Sequence, residues 1–197
     1  MPTRLAALLA ALLAAGCSAT PQRAAPPQDA FFAHLRALCG QAFAGRVVED
    51  TPAPAGSDPF AAPLLMHVRE CEADTLRIPF HVGEDRSRTW VLTRTAGGLR
   101  LKHDHRHADG RPDELTMYGG DTREPGSASR QTFPADPDSV ALFRRTGREV
   151  SVTNVWALEI EPGRRFVYEL TRPGRRFRVE FDLSRPVAPP PAPWGAQ

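Results

Sequence analysis

Three histidines recur at every second position near the middle of the chain, at His103, His105 and His107. On a β-strand, residues i and i+2 point to the same face and lie about 6.6 Å apart along the chain. Two imidazoles at that spacing can share one transition-metal ion or approach a haem iron. The pattern is therefore compatible with a metal or haem site at His103 and His105, although no cofactor is predicted. His107, about 13 Å from His103, would need a bend in the strand to join it.

The same histidines have a second interpretation that involves no metal. Neutral imidazoles can line the polar mouth of a β-barrel, hydrogen-bond to neighbouring aspartates, or help to hold an organic ligand. Because the unperturbed histidine pKa is about 6.5, such a lining could also respond to pH near neutrality. Both interpretations require side chains that point inwards.

The hairpin that precedes the histidines predicts their direction. A two-residue loop around Gly97 places even positions of the first strand on the same face as odd positions of the second. The histidines then continue the apolar row of Leu99 and Leu101, and they are predicted to face the interior with Trp90. Aromatic residues of later strands, including Phe177, are predicted to face the same space. The predicted ligand-binding residues are Arg88, Trp90, Leu92, His103, His105, His107, Trp156 and Tyr168.

Composition and motifs argue against several other functions. The formal net charge is +2, and Lys102 is the one lysine in the sequence. A nucleic-acid binder should instead carry a clustered basic face. The sequence contains no G-x-S-x-G, no phosphate-binding glycine loop and no H-E-x-x-H. We therefore predict no catalytic residue and no nucleic-acid partner, and the question of an enzymatic activity stays open.

Alternation of apolar and polar residues predicts the fold. This pattern is typical of antiparallel strands with one buried face, and about eight to ten strands are predicted. Consecutive hairpins favour an up-and-down β-barrel, because closure removes exposed edges; a β-sandwich is the alternative. Helical spacing predicts an N-terminal helix over residues 29–39 and a short inserted helix over residues 136–145. The clearest alternating segments are residues 64–69, 76–81, 156–161, 166–170 and 176–183.

Two resemblances accompany this pattern. The predicted helix followed by Gly40-Gln41-Ala42-Phe43 resembles the start of calycin barrels, the lipocalins and the nitrobindin-like group, with Phe43 in place of their usual tryptophan. This resemblance implies a calycin-like barrel. Residues 81–90, 101–107 and 118–122 also resemble segments of a family of small secreted bacterial proteins to which no activity is attached.

The start of the chain predicts export. One arginine precedes an apolar run over residues 5–16, which is too short to span a hydrocarbon layer of about 30 Å. The segment Leu13-Ala14-Ala15-Gly16-Cys17 resembles the bacterial lipobox, which implies a signal peptide over residues 1–16 and a lipid anchor at Cys17. By resemblance to sorting rules, Ser18 implies the outer membrane, with the protein facing the periplasm. Without acylation the protein would be secreted.

The remaining cysteines and the two ends complete the domain organisation. After the lipidated cysteine, Cys39 and Cys71 form an even pair in an oxidising compartment, where a structural disulfide is predicted. Residues 17–28 have little apolar surface and are predicted to be a tether, and residues 185–197 are predicted to be a proline-rich disordered tail. The β-barrel domain is therefore assigned to residues 29–184.

Taken together, the sequence predicts an exported, membrane-tethered β-barrel that binds a small apolar or amphipathic molecule. One alternative is a metal or haem protein that uses His103 and His105. The other is a non-catalytic envelope scaffold that meets a protein partner through the alternating charges of residues 176–182.

Overall fold

The structure, a computed structural model, describes residues 25–53, 55–56 and 58–196. The predicted signal peptide, the lipidation site at Cys17 and most of the predicted tether lie outside these residues. No helix within the described ranges is both long enough and apolar enough to cross a membrane.

Period-two alternation produces antiparallel strands, and short helices precede and interrupt them. Among the described residues, eleven strands are present: β1 (Ala42–Thr51), β2 (Leu64–His67), β3 (Glu70–Cys71), β4 (Thr75–Val82), β5 (Asp85–Thr95), β6 (Gly98–His105), β7 (Tyr118–Asp121), β8 (Arg130–Pro134), β9 (Val155–Glu161), β10 (Arg165–Arg172) and β11 (Arg175–Val187). The helical elements are α1 (Pro27–Arg36), α2 (Pro137–Arg145) and a 3-10 turn (Glu149–Ser151).

The strands form a nearly closed antiparallel barrel. They pair in the order β7-β6-β5-β4-β2-β1-β11-β10-β9-β8, and the short β3 pairs with β4. Apart from the short β3, strands that follow one another in the sequence pair, except β7 and β8, and β1 pairs with β11 to join the two ends of the domain. The predicted mainly β barrel with an N-terminal helix and an inserted helix is therefore confirmed. The strands form this barrel and not the alternative β-sandwich.

The gap in the wall lies between β7 and β8, and α2 bridges it. Only glycine fits at Gly120, because a Cβ atom there would lie 1.8 Å from the carbonyl oxygen of Pro134. The N–H of Asp136 donates to the carbonyl of Gly119 at 2.9 Å. In the first turn of α2, the Ser139 hydroxyl accepts from the Gly119 N–H at 2.7 Å and donates to its carbonyl at 2.9 Å. The polar edge of β7 is therefore covered, which protects it from pairing with another chain.

Helix α1 closes one end of the barrel. Its Phe31 and Phe32 side chains are buried, with at most 1% of each residue exposed. Asp29 in its first turn pairs with Arg94 of β5 at 2.5 Å. The helix begins at Pro27, earlier than predicted. The N–H groups of the first helical turn have no acceptor within the helix, so a proline, which has no N–H, fits at that position.

The predicted disulfide between Cys39 and Cys71 is confirmed, and it links the segment after α1 to β3 across 32 residues of chain. In the chain-entropy model, closing a loop of that length stabilises the fold by about 3–4 kcal/mol. We expect the double substitution Cys39→Ser/Cys71→Ser to lower the free energy of unfolding by this amount in urea titrations. Reduction should destabilise the wild type equally and leave the double variant unchanged. A double variant as stable as the oxidised wild type would contradict the expectation.

The C-terminal residues 188–196, here called the strap, differ from the disordered tail that their composition predicted. The Trp194 N–H donates to the carbonyl of Arg86 at 3.0 Å, and Arg86 Nη1 donates to the carbonyl of Ala192 at 3.1 Å. Prolines fix φ and bring no N–H group that would need an acceptor. An extended proline-rich segment can therefore lie along the outside of a barrel at small entropic cost.

The strap runs from the end of β11, which pairs with β1, to Arg86 of β5, and β2 and β4 lie between those strands. Alternation along these two strands predicts that His67 and His81 lie on the outer side, towards water. Both are buried, with 7% and 2% of each residue exposed. Their sequence neighbours Met66 and Phe80 belong to the core, so alternation still places the histidines on the outer side. Alternation assigns a side chain to one face of the sheet but does not show whether other residues cover that face.

Candidate functional site

The β5–β6 hairpin turns through a two-residue loop, as the parity argument required. Trp90 then pairs with His103, and Arg88 pairs with His105. His103 is buried, with 3% of the residue exposed, and His105 is half-buried. The hairpin therefore brings a tryptophan, an arginine and two imidazoles to the inner face of the barrel.

These side chains line a cavity of about 170 Å³ at the end of the barrel opposite α1. Strand β5 identifies that end, because its Arg94 contacts α1 while Arg88, near its other terminus, lines the cavity. The predicted ligand-binding residues that line the cavity are Arg88, Trp90, His103, His105 and Tyr168. The other lining residues are Phe60, Phe80, Thr89, Tyr118, Leu170, Arg175 and Phe177.

Three predicted ligand-binding residues lie elsewhere. Leu92 and Trp156 are buried in the core and do not line the cavity. His107 is exposed, because β6 ends at His105 and the Gly110 N–H then donates to the His107 carbonyl at 2.9 Å in a turn. Alternation applies only while the strand lasts, so the inward position predicted for His107 is wrong.

Aromatic rings form one wall of the cavity. The Phe80 and Trp90 rings stack at 4.9 Å with an interplanar angle of 10°, and Trp90 stacks on Tyr168 at 4.7 Å and 17°. Phe60, from the loop between β1 and β2, packs on Phe177 with ring centroids 4.6 Å apart. Aromatic rings attract one another in offset-stacked or edge-to-face arrangements. The wall is therefore suited to a ligand that carries an aromatic ring.

His103 has a partner for each ring nitrogen. Its Nδ1 lies 3.1 Å from the carbonyl oxygen of Tyr118, and its Nε2 lies 2.9 Å from the hydroxyl of Tyr168. Because a carbonyl oxygen only accepts, Nδ1 carries the proton and Nε2 accepts from Tyr168. Burial, followed by the proximity of His105, lowers the pKa of His103 to about 3. The imidazole is therefore neutral near neutral pH.

This bonding does not suit a metal centre. A metal ion needs a ring-nitrogen lone pair, and Tyr168 already occupies the one lone pair of neutral His103. Within the described ranges, no group of three or more histidine, cysteine, aspartate or glutamate side chains is placed to hold an ion. A cavity of about 170 Å³ is also well below the roughly 300–1,000 Å³ of sites that enclose drug-sized ligands, so a haem does not fit. The arrangement gives no support to a metal or haem site at His103 and His105.

His105 and Tyr118 form a second polar pair at the cavity. The Tyr118 hydroxyl lies 3.1 Å from Nε2 of His105, and the Tyr118 ring stacks on His103 at 4.7 Å. Burial raises the pKa of Tyr118 to about 12. Burial, followed by the positive charge of Arg88, lowers the pKa of His105. Both side chains are neutral near neutral pH, so the pair can either donate a hydrogen bond to a ligand or accept one.

Two arginines complete the cavity lining. Arg88 donates from Nη1 to the carboxylate of Asp85 at 2.6 Å, and its Cζ lies 5.9 Å from the centroid of the Phe60 ring. Arg175 donates from Nη1 to the carboxylate of Asp50. Both side chains are partly exposed, at 26% and 22%. The cavity therefore combines aromatic walls with two positive charges at its solvent side.

Sequence reasoning missed several lining residues for identifiable reasons. Phe60 lies in a loop rich in proline and alanine, where no periodicity marks a buried side chain. Tyr118 begins a strand that follows the irregular residues 106–117, so its register could not be counted from the hairpin. Phe80 could have been found, because its alternation with His81 in a predicted strand indicates that its side chain faces the interior.

Comparison with known proteins does not assign this site. No protein-family model, curated protein or solved structure matches the chain.

Proposed function

We propose that the protein is an exported β-barrel that binds a small amphipathic molecule in the cavity between Trp90 and Arg88. The observation that carries this proposal is the combination of a preformed concavity, a stacked aromatic wall and a few polar groups at one end. Small-molecule sites have this composition, mostly apolar with a small number of placed polar groups.

The size of the cavity limits the ligand. An engineered apolar cavity of about 150 Å³ is large enough to hold benzene. The present cavity, at about 170 Å³, therefore matches one ring with a small substituent. Longer molecules such as fatty acids would have to project out of the cavity into solvent.

The proposed place of action is the periplasmic face of the outer membrane, through a lipid on Cys17, or the medium if that cysteine is not acylated. The lipobox-like residues before Cys17 support export. The disulfide between Cys39 and Cys71 supports it independently, because such bonds persist in oxidising compartments and are rare in the cytosol.

Filling the cavity should abolish binding. Leu170 lines the cavity, and we expect Leu170→Trp to occupy the space of a single ring. The wild type should bind members of a panel of single-ring compounds in ligand-observed NMR and calorimetry. The variant should bind them at least about tenfold more weakly, since the ligand would lose most of its apolar contact.

The matched control is Val150→Trp, which adds the same side chain at a position that is 67% exposed. This control should bind the panel like the wild type. Failure of the whole panel to bind the wild type, or equal binding by Leu170→Trp, would overturn the proposed function. Far-ultraviolet circular dichroism of each variant confirms that the barrel is intact.

A further inference from the structure

Arg88 keeps one edge of its guanidinium group unused. Its Nη1 is bound to Asp85, whereas its Nε and Nη2 have no hydrogen-bond partner among the described residues. These two N–H groups point in parallel from one edge of the planar group, and that edge matches the two oxygens of a carboxylate. An arginine that lines an aromatic cavity with this edge unpaired is suited to a ligand carboxylate.

Arg175 also has no hydrogen-bond partner for its Nε and Nη2 among the described residues, but its Nη1 is held by more acceptors than that of Arg88. Its Nη1 donates to the Asp50 carboxylate and to the carbonyl oxygens of Thr51 and Arg176, so it holds the end of β1 against β11. Its Cζ also lies 5.6 Å from the centroid of the Phe177 ring. Arg175 therefore acts mainly as a structural clamp, and Arg88 is the better candidate for ligand recognition.

The rest of the cavity lining favours an anion over a cation. Among the described residues that line the cavity, none is acidic. The carboxylates nearest to the two arginines belong to Asp85 and Asp50, which are their ion-pair partners. His105 and Tyr118 are neutral and can add one hydrogen bond to a carboxylate oxygen.

We propose that the pocket selects planar single-ring aromatic carboxylates, of which benzoate is the simplest, with the carboxylate on Arg88 and the ring against Trp90 and Tyr168. This inference rests on the proposed ligand-binding function and names its ligand class. An aromatic ring can pack against the aromatic wall in an offset or edge-to-face arrangement, and a carboxylate matches the unused edge of the guanidinium group of Arg88. A cavity of about 170 Å³ accommodates the ring.

Calorimetry with four probes tests the proposal near neutral pH: benzoate, benzyl alcohol, benzylamine and cyclohexanecarboxylate. Benzoate should bind most tightly. Benzyl alcohol keeps the ring without the charge, benzylamine reverses the charge, and cyclohexanecarboxylate keeps the charge without the flat ring. Each of these three should bind more weakly than benzoate.

Substitution of Arg88 should act on the charge alone. We expect Arg88→Gln to weaken benzoate at least about tenfold and to change benzyl alcohol by less than about twofold, because only benzoate loses charge-assisted hydrogen bonds. Arg88→Lys should recover part of the benzoate affinity, since it keeps the charge without the fork. The control is Arg100→Gln, which removes an arginine that pairs with Asp121 at 2.7 Å on the outside of β6 and should leave all four affinities unchanged.

The outcomes separate this inference from the proposed function. If benzyl alcohol binds as tightly as benzoate and Arg88→Gln affects both equally, the carboxylate assignment is overturned while ligand binding stands. If none of the four probes binds the wild type, both proposals fall. Retained binding of benzyl alcohol by Arg88→Gln shows that the variant is folded.

Discussion

Acidification to about pH 4 is expected to lower the free energy of unfolding strongly, and the loss should begin near pH 6.5, the usual histidine pKa. Buried histidines cause it, and the pKa values of His103 and His81 are shifted furthest. Burial and His105 lower the pKa of His103 to about 3. Burial, followed by the charges of Arg86 and His67, lowers the pKa of His81 to about 4. Both imidazoles are therefore neutral in the folded barrel.

The sign follows from proton binding. In the unfolded chain both histidines titrate near 6.5, so between that pH and the folded pKa the unfolded state binds more protons. Stability contributed by the neutral imidazoles is complete above pH 6.5 and decreases as the pH falls towards the folded pKa. At about pH 4 the two groups together cost roughly 6 kcal/mol. That is a large part of the 5–15 kcal/mol by which folded domains are typically stable.

Urea titrations between about pH 8 and pH 4 measure this dependence as the free energy of unfolding. The variants His103→Gln and His81→Gln should each flatten the curve below pH 6.5 by up to about 1.4 kcal/mol per pH unit, because each removes one titrating group. The matched control is His107→Gln, at an exposed histidine on the same segment as His103. Its curve should keep the slope of the wild type.

Two results would contradict the expectation. One is a wild-type stability that stays constant from pH 7 to pH 4. The other is a slope that neither buried-histidine variant changes. A lower stability of His103→Gln at neutral pH is not itself informative, since that variant also disturbs the hydrogen bonds to Tyr118 and Tyr168.

The sequence predicted those parts of the site that depend on local rules. Alternation and a two-residue loop are properties of adjacent residues, and together they placed Arg88, Trp90, His103 and His105 on one inner face. The same rule gave wrong results where its condition ended. His107 lies beyond the end of β6, and the chain turns there.

Contacts between distant segments could not be predicted in this way. The hydroxyl of Tyr168 reaches Nε2 of His103 across the barrel interior, 65 residues later in the chain, and no periodicity specifies that meeting. The strap is a second case. Its prolines are typical of disordered tails, but the hydrogen bonds of Trp194 and Arg86 depend on the outer surface that the barrel presents.

Glu169 lies on the outer face of the sheet formed by β8 to β11, and the substitution Glu169→Gln is expected to lower the free energy of unfolding strongly. Glu169 is buried, with 3% of the residue exposed. Its carboxylate accepts hydrogen bonds from Arg130 at 2.8 Å, from Arg176 at 2.8 Å and from Arg178 at 2.9 Å. These hydrogen bonds and charges lower the pKa of Glu169 to about 2, although burial alone would raise it.

Glutamine keeps the shape of glutamate but removes the charge, so three guanidinium groups would share fewer carboxylates. Breaking a buried ion pair from one side typically costs about 3–5 kcal/mol, and we expect Glu169→Gln to lower the free energy of unfolding by that amount near neutral pH. The control is Glu180→Gln on β11, whose carboxylate is more exposed and pairs with Arg46 at 3.7 Å and Arg165 at 3.4 Å. An exposed pair of this kind should cost less than about 1 kcal/mol.

The pH dependence separates this cluster from the histidines. The folded pKa of Glu169 is depressed, so its contribution is present above the unfolded value of about 4.5 and is lost as the pH falls towards about 2. Glu169→Gln should therefore lower stability uniformly above about pH 5 without changing the histidine-dependent slope between pH 6.5 and 5. Equal losses in Glu169→Gln and Glu180→Gln would show that water screens the arginines and that the cluster contributes no more than ordinary surface pairs.

The three arginines should not contribute equally to that loss. Arg130 and Arg176 have side chains that are 41% and 48% exposed, so water can solvate them when the carboxylate is neutralised. Arg178 is 16% exposed and also pairs with Glu159 at 2.7 Å. In a double-mutant cycle, the coupling of Glu169 to Arg178 should therefore exceed its coupling to Arg130. The charges of Arg176 and Arg178 on β11 are paired with Glu169 and Glu159 on the neighbouring strands.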